Sequence, residues 1–130
     1  MINSRSIDDL TPEAQAKYHE FEQAMTKAGL RYIVTCTYRD QESQDWIYAS
    51  GRKRPGPILT KVTHSPHTAR IAWDIAVLDA NGKVSWTIGP EYRQAAQIGA
   101  SLGLIAGGLY EGGWLDYPHF NLPQKPWDKE

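Results

Sequence analysis

Between residues 12 and 29 the apolar positions keep the spacing of a helix. Ala14, Tyr18, Phe21, Met25 and Ala28 form one stripe, and polar residues fill the other faces. Thr11 can cap this helix, Pro12 suits a first turn that needs no N–H partner, and Gly29 suits its C-terminal turn. His19 lies off the stripe and is expected to be a solvated surface residue. From Arg31 to Thr37 the pattern changes to β-branched and aromatic residues, which predicts a strand. Asp40 can cap a second helix running to about Ser50, with Trp46 and Ile47 facing inward. Ala72 to Leu78 reads as a second strand. Asn81-Gly82 is a hairpin signal, with Val84 to Trp86 as the returning strand. Pro90 opens a third helix with Ala95, Ile98 and Leu102 on one face and Gly103 as its stop. A last strand is expected within Tyr117 to Leu122. Helices between antiparallel strands make the class α+β: a small antiparallel sheet flanked by about three helices.

Length adds that residues 1–130 suit one domain that can bury a core without disulfides. Apolar residues are 41% and charged residues 22%, a globular composition. The formal net charge of -1 gives no general pull toward nucleic acid or an anionic membrane, so neither is expected as a partner. Five Trp and seven Tyr suggest a compact core or a groove walled by rings. The single cysteine, Cys36, sits in strand-like Ile33-Val34-Thr35-Cys36-Thr37 and reads as a buried structural thiol. The first residues carry no apolar signal region, and no run of about 18 apolar residues exists. The expectation is a protein kept in the cytoplasm unless another protein releases it, and a monomer. Gly51-Arg52-Lys53-Arg54-Pro55-Gly56-Pro57 is a basic, breaker-rich loop. Such loops are usually solvated connectors, less often rims that attract an anionic substrate.

Candidate chemistry concentrates in two segments, Ser65-Pro66-His67-Thr68-Ala69-Arg70-Ile71-Ala72-Trp73-Asp74 and Trp114-Leu115-Asp116-Tyr117-Pro118-His119-Phe120. Imidazole nitrogens and carboxylates are standard zinc ligands, and three of them leave a fourth position for water. His67, Asp74 and His119 would supply such a set. Asp74 stands inside an apolar strand, where a carboxylate is costly unless paired or bound to metal. Asp116, three residues before His119, is placed to act as a general base beside the metal rather than as a ligand. Any one of these residues alone is more often a satisfied polar group than a ligand. His64 is expected to point away from the set. Trp114 and Phe120 read as walls.

The spacing Ser-x-His, six residues, Asp, followed far downstream by Asp-x-x-His in Tyr117-Pro118-His119-Phe120, resembles the D-alanyl-D-alanine carboxypeptidase/dipeptidase and L-alanyl-D-glutamate peptidase family. These zinc peptidases act on bacterial cell-wall peptides and are similar in fold to the hedgehog zinc domain. Thr37-Tyr38-Arg39-Asp40-Gln41-Glu42-Ser43-Gln44 resembles the family's Ser-Gly-Tyr-Arg-Ser stretch, with a Gln five residues after the Arg. The resemblance spans about residues 35 to 122. It implies zinc held by His67, Asp74 and His119, with Asp116 as catalytic acid/base and Arg39 binding substrate and transition state. It also implies substrate-side positions for Ser65, Gln44 and Trp114. Thr68 and Arg70 stand where the family has Asn and Gly. Arg70 needs room that the glycine does not, which bears on the turn after His67.

Taken together, the expectation is a zinc endopeptidase cutting the L-alanyl–D-glutamate bond of peptidoglycan stem peptides. Its setting would be that of a phage or prophage endolysin, held in the host cytoplasm until a holin opens the membrane. The alternatives are a D-Ala-D-Ala dipeptidase or carboxypeptidase on the same scaffold, and a zinc-binding domain without catalysis.

Overall fold

The computed structural model describes residues 1–111 and 115–123. After a 3-10 turn at Ile7–Asp9 come helix α1 (Pro12–Lys27), strand β1 (Tyr32–Cys36), helix α2 (Gln41–Ala49), strand β2 (Ala72–Leu78) and strand β3 (Val84–Ser85). Helix α3 (Pro90–Ser101), strand β4 (Ile105–Ala106), a 3-10 turn at Gly107–Leu109 and strand β5 (His119–Asn121) complete the order. The sheet runs β1-β2-β5-β4, with β3 paired to the far end of β2, and every pairing is antiparallel. The α+β expectation of a small antiparallel sheet with three helices holds.

Local chemistry accounts for the elements. The Thr11 hydroxyl accepts a hydrogen bond from Ala14 N–H, and Asp40 caps α2 by accepting from Ser43 N–H at 2.8 Å. The α1 stripe is buried at Ala14, Tyr18, Phe21 and Met25. It packs with Tyr92, Ala95 and Ala96 of α3 onto Trp73, Ile75, Val77 and Phe120 of the sheet. Trp73, Phe21 and Phe120 are fully covered; truncating such a ring to Ala costs about 3–5 kcal/mol. Gly99 is needed where α3 meets β5, because a Cβ there would lie 2.6 Å from the Phe120 ring.

Three features differ from expectation. Phe120 is not a wall of the candidate site, since its ring is fully buried in the core on the face of β5 opposite His119. Trp46 is 52% exposed; α2 buries Ser43 and Gln44 instead, and the Trp46 ring lies under the Arg54 guanidinium at 3.5 Å. Helical spacing identified a stripe on α2 but not which face the fold covers. Strand β4 was not foreseen, since two residues give no periodicity to read. His19 is exposed, as expected, and Cys36 is a buried free thiol. No described helix is long and apolar enough to cross a membrane.

Candidate metal centre and its surroundings

Strand alternation places the chemistry. Along β2, Trp73, Ile75 and Val77 enter the core beneath the helices, so Asp74 projects from the opposite face. Register then sets its neighbours: Asp74 pairs with His119 on β5 and with Cys36 on β1. Phe120 enters the core, so His119 and Asn121 share the Asp74 side of β5. His67 arrives from the turn before β2. That turn is held by Ser65, whose hydroxyl accepts from His67 N–H at 3.1 Å and whose carbonyl accepts from Thr68 and Ala69.

His67, Asp74 and His119 each bring one ligand atom to within 4.8 Å of the others. One carboxylate oxygen, Asp74 Oδ1, stands 3.1 Å from His67 Nε2 and 2.9 Å from His119 Nδ1. The far nitrogen of His67, Nδ1, donates to the Thr37 carbonyl at 2.8 Å, with the Cys36 sulfur 3.6 Å away. A neutral His67 therefore turns a lone pair toward the carboxylate, an arrangement that only positive charge can settle. Without metal that charge is a proton. Burial opposes it, but the Asp74 charge and hydrogen bond outweigh burial and push the His67 pKa up to about 10. The imidazoles conversely hold the Asp74 carboxyl well below its ordinary value against the opposing effect of burial. Two imidazoles and a carboxylate converging where cationic charge is required fit a metal cation.

Asp116 comes to this place on coil rather than on a strand. Its N–H donates to Gly107 O at 2.9 Å, and its carbonyl accepts from His119 N–H at 3.0 Å. A Cβ on Gly107 would lie 2.1 Å from Asp116 O, so only glycine allows this approach. Desolvation raises the Asp116 pKa and Asp74 adds to the rise, while His119, His67 and Arg39 oppose it. The carboxyl thus shares the electrostatic field of the cluster. Tyr110 shares it too. Its pKa is pushed up to about 12, first by partial desolvation of a ring still 38% exposed and then by the charges of Asp116 and Asp74, so its phenol stays a donor. Nothing in the sequence singled out Tyr110 or Gly107; aromatic and glycine positions become informative only once the fold brings them to the carboxylates.

Arg39 lies beside this group. Its backbone N–H donates to His67 O at 3.4 Å, and one guanidinium nitrogen donates to Gln44 Oε1 at 2.9 Å. A second lies 3.5 Å from Cys36 Sγ, and its buried Nε has no partner among the described residues. Gln44 in turn donates to Val62 O at 2.9 Å and is fully buried, so it orients Arg39 and ties α2 to the loop before His67. Ser65 is buried with its hydroxyl turned to the His67 backbone. His64 is exposed and outside the cluster. Trp114 lies outside the described residues. The basic loop has an internal occupation: Arg52 and Arg54 donate to Tyr48 and Trp46 carbonyls of α2 and stack on those same two rings. In the turn after His67, Arg70 adopts a left-handed φ of 63°, a region that favours glycine.

No family model matches the chain. In sequence it is similar to the peptidoglycan L-alanyl-D-glutamate endopeptidase CwlK of Bacillus subtilis (strain 168). The two are 25% identical over 124 residues, covering 88% of this chain and 74% of that protein. In fold it is similar to the L-Ala D-Glu endopeptidase ChiX of Serratia marcescens, with a TM-score of 0.68 at 22% identity, over 93% of this chain and 88% of that one. The L,D-carboxypeptidase DacB of Streptococcus pneumonia is similar at a TM-score of 0.59 and 19% identity, over 90% and 70% of the two chains. The LD-carboxypeptidase LdcB gives the same TM-score of 0.59, over 95% and 72%. The likeness to CwlK agrees with the family resemblance carried by the three motifs, and the structural likenesses agree with the fold it implies.

Proposed function

We propose that the chain is a zinc-dependent peptidoglycan endopeptidase that cuts the L-alanyl–D-glutamate bond of stem peptides. The observation that carries the reading is the convergence of His67 Nε2 and His119 Nδ1 on one oxygen of Asp74, beside Asp116 and Arg39. The choice of bond is supported by the names of the relative CwlK and the structural neighbour ChiX.

His67, Asp74 and His119 would hold the zinc. When bound, zinc supplies Lewis-acid polarisation of a carbonyl and acidifies water. Asp116 takes a proton from the attacking water on its carboxylate and returns it to the leaving amine nitrogen. Its raised pKa suits a group that must both accept and release that proton. Arg39, steered by Gln44, offers planar donors to a substrate carboxylate or to the oxyanion that develops. Ser65 serves the substrate side indirectly, through the turn that carries His67. Trp114 is assigned to the substrate wall on its place in the motif.

The test is digestion of purified peptidoglycan by the zinc-loaded protein, with mass spectrometry and assignment of the new amino termini. New D-Glu amino termini are the expected result. Free D-Ala with intact sacculi would overturn this reading in favour of a D-Ala-D-Ala carboxypeptidase or dipeptidase. Zinc binding without any cleavage would leave only a metal-binding domain. Service as a phage or prophage endolysin, released by a holin, belongs to the same proposal. Its check is expression in a Gram-negative host, where lysis should require a co-expressed holin.

A further inference from the structure

Asn121 follows His119 by two residues on β5, on the same face of the strand, and it is buried. Its amide makes two hydrogen bonds. Nδ2 donates to Leu122 O at 2.6 Å, and Oδ1 lies 2.8 Å from His119 Nε2. A carbonyl can only accept, so the Leu122 bond decides which way the amide faces. Oδ1, itself only an acceptor, is thereby turned to His119, and Nε2 must carry the proton. The lone pair of a neutral His119 is then confined to Nδ1, the nitrogen 2.9 Å from Asp74. His67 is set in the opposite sense, with Nδ1 protonated toward the Thr37 carbonyl and Nε2 facing Asp74. In their neutral forms the two histidines thus take opposite tautomers and aim at one point. One is set by a backbone carbonyl that no substitution removes, the other by a side chain.

We propose that Asn121 is a positioning residue that holds His119 as its Nε2–H tautomer and presents Nδ1 for metal binding. The metal-binding half of this inference rests on the zinc reading above; the tautomer half does not. Partners of this kind orient a ligand and raise its basicity, and removing one typically costs about 10- to 100-fold in metal affinity. An aliphatic residue at 121 frees the ring to rotate and to populate Nδ1–H, which must then be displaced before metal binds.

The experiment pairs Asn121→Leu with Asn121→Asp. Zinc alone is titrated into each metal-free protein against a chromophoric chelator, and long-range 1H–15N spectra report the His119 tautomer where its ring is neutral. N121L should bind zinc about 10- to 100-fold more weakly than wild type and show Nδ1–H at His119. N121D keeps the acceptor toward His119 but gives up the donor to Leu122 O, so it should retain Nε2–H and bind zinc more tightly than N121L. It carries the test if N121L does not fold. Wild-type zinc affinity in N121L, Nδ1–H at His119 in the wild type, or an N121D affinity as weak as that expected of N121L would each overturn the proposal. A fall in thermal stability with unchanged zinc affinity would also overturn it, since that is the mark of a merely structural role. If the wild type takes up no zinc, the metal reading fails and the spectra decide alone. Nε2–H in wild type and its loss in N121L would uphold the tautomer assignment, and any other pattern would remove it.

Discussion

Asp74 and His119 face each other across neighbouring strands, and their separation follows from ladder register. Asp116 reaches the same place on coil, held through backbone hydrogen bonds to Gly107 and His119 and a close approach that only a glycine permits. The first arrangement is backed by a core containing Trp73, Ile75 and Phe120 and can shift only if the sheet shifts. The second is fixed by two backbone hydrogen bonds and not by ladder register. The difference separates two tasks. Metal ligands need fixed convergence, whereas a proton carrier needs reach and a tuned pKa, which suits a partly exposed segment. The two regions should therefore fail in different ways when altered.

The largest effects are expected in the sheet-borne set. His67→Ala, Asp74→Ala and His119→Ala should each lose most of the bound zinc and abolish cleavage, read by metal analysis and sacculus digestion. A full zinc content in all three would end the ligand assignment. Because the ligands join β2, β5 and the turn before β2, zinc should also raise the unfolding temperature of the wild type and not of these variants.

On the other side of the comparison, Asp116→Asn should keep zinc and fold while losing at least about 100-fold in rate. Arg39→Ala should likewise keep zinc and lose turnover. An Asp116→Asn protein that is fully active would remove Asp116 as the base, and one that is zinc-free would make it a ligand. Gly107→Ala sharpens the contrast further, since its Cβ would force Asp116 O, 2.1 Å away, to move. A misplacement near 1 Å costs up to about 100-fold in rate. Zinc content should stay full in this variant, and loss of zinc with activity would show that the two regions are not separable.

The same division governs what could be read in advance. Ala72 to Leu78 was legible to the residue, because β-branched residues and a hairpin signal bracket it. Once that strand was placed, the isolated Asp74 announced itself as a polar group in an apolar run. His119 was legible as a candidate ligand from its residue type and company, and Arg39 and Gln44 only through the family resemblance. Gly107 and Asn121 were not, since a glycine or an asparagine means nothing until the fold shows what lies against it. Trp46 misled for a related reason: apolar spacing defines a stripe, but α2 covers its Ser43 and Gln44 face to hold Arg39.

Smaller effects come from pH in the metal-free protein. The His67 pKa is raised in the folded state, so its contribution to stability is complete below its unfolded value of about 6.5 and is lost as pH rises toward about 10. The Asp74 pKa is lowered, so its contribution is complete above about 3.9 and is lost on acidification. Metal-free protein should accordingly unfold at its highest temperature between about pH 4 and 6.5 and weaken toward pH 10. A zinc ion held there would displace the His67 proton, so its stabilising effect should grow over that same upper range. His67→Ala should flatten the alkaline limb; an unchanged limb would show that another group sets it.

The smallest expected effect is at Arg70, and it separates strain from contact. A non-glycine residue at φ 63° costs about 1 kcal/mol relative to glycine. Arg70 offsets this by donating to Asp9 O at 3.0 Å and by stacking its guanidinium 3.7 Å from the Tyr38 ring centre, both near the surface. Arg70→Gly relieves the strain, gives up both contacts and adds freedom to the unfolded chain. The net change should stay within about 1 kcal/mol. Arg70→Ala keeps the strain and gives up the contacts, so it should be the less stable of the two in thermal or urea unfolding. Zinc affinity should be unaltered in both, because the His67 ring is held by Thr37 and its backbone by Ser65, not by the residue at 70. An Arg70→Ala protein as stable as Arg70→Gly would show that the left-handed turn carries no strain. Weakened zinc binding in either would show that the turn after His67 tunes the metal centre itself.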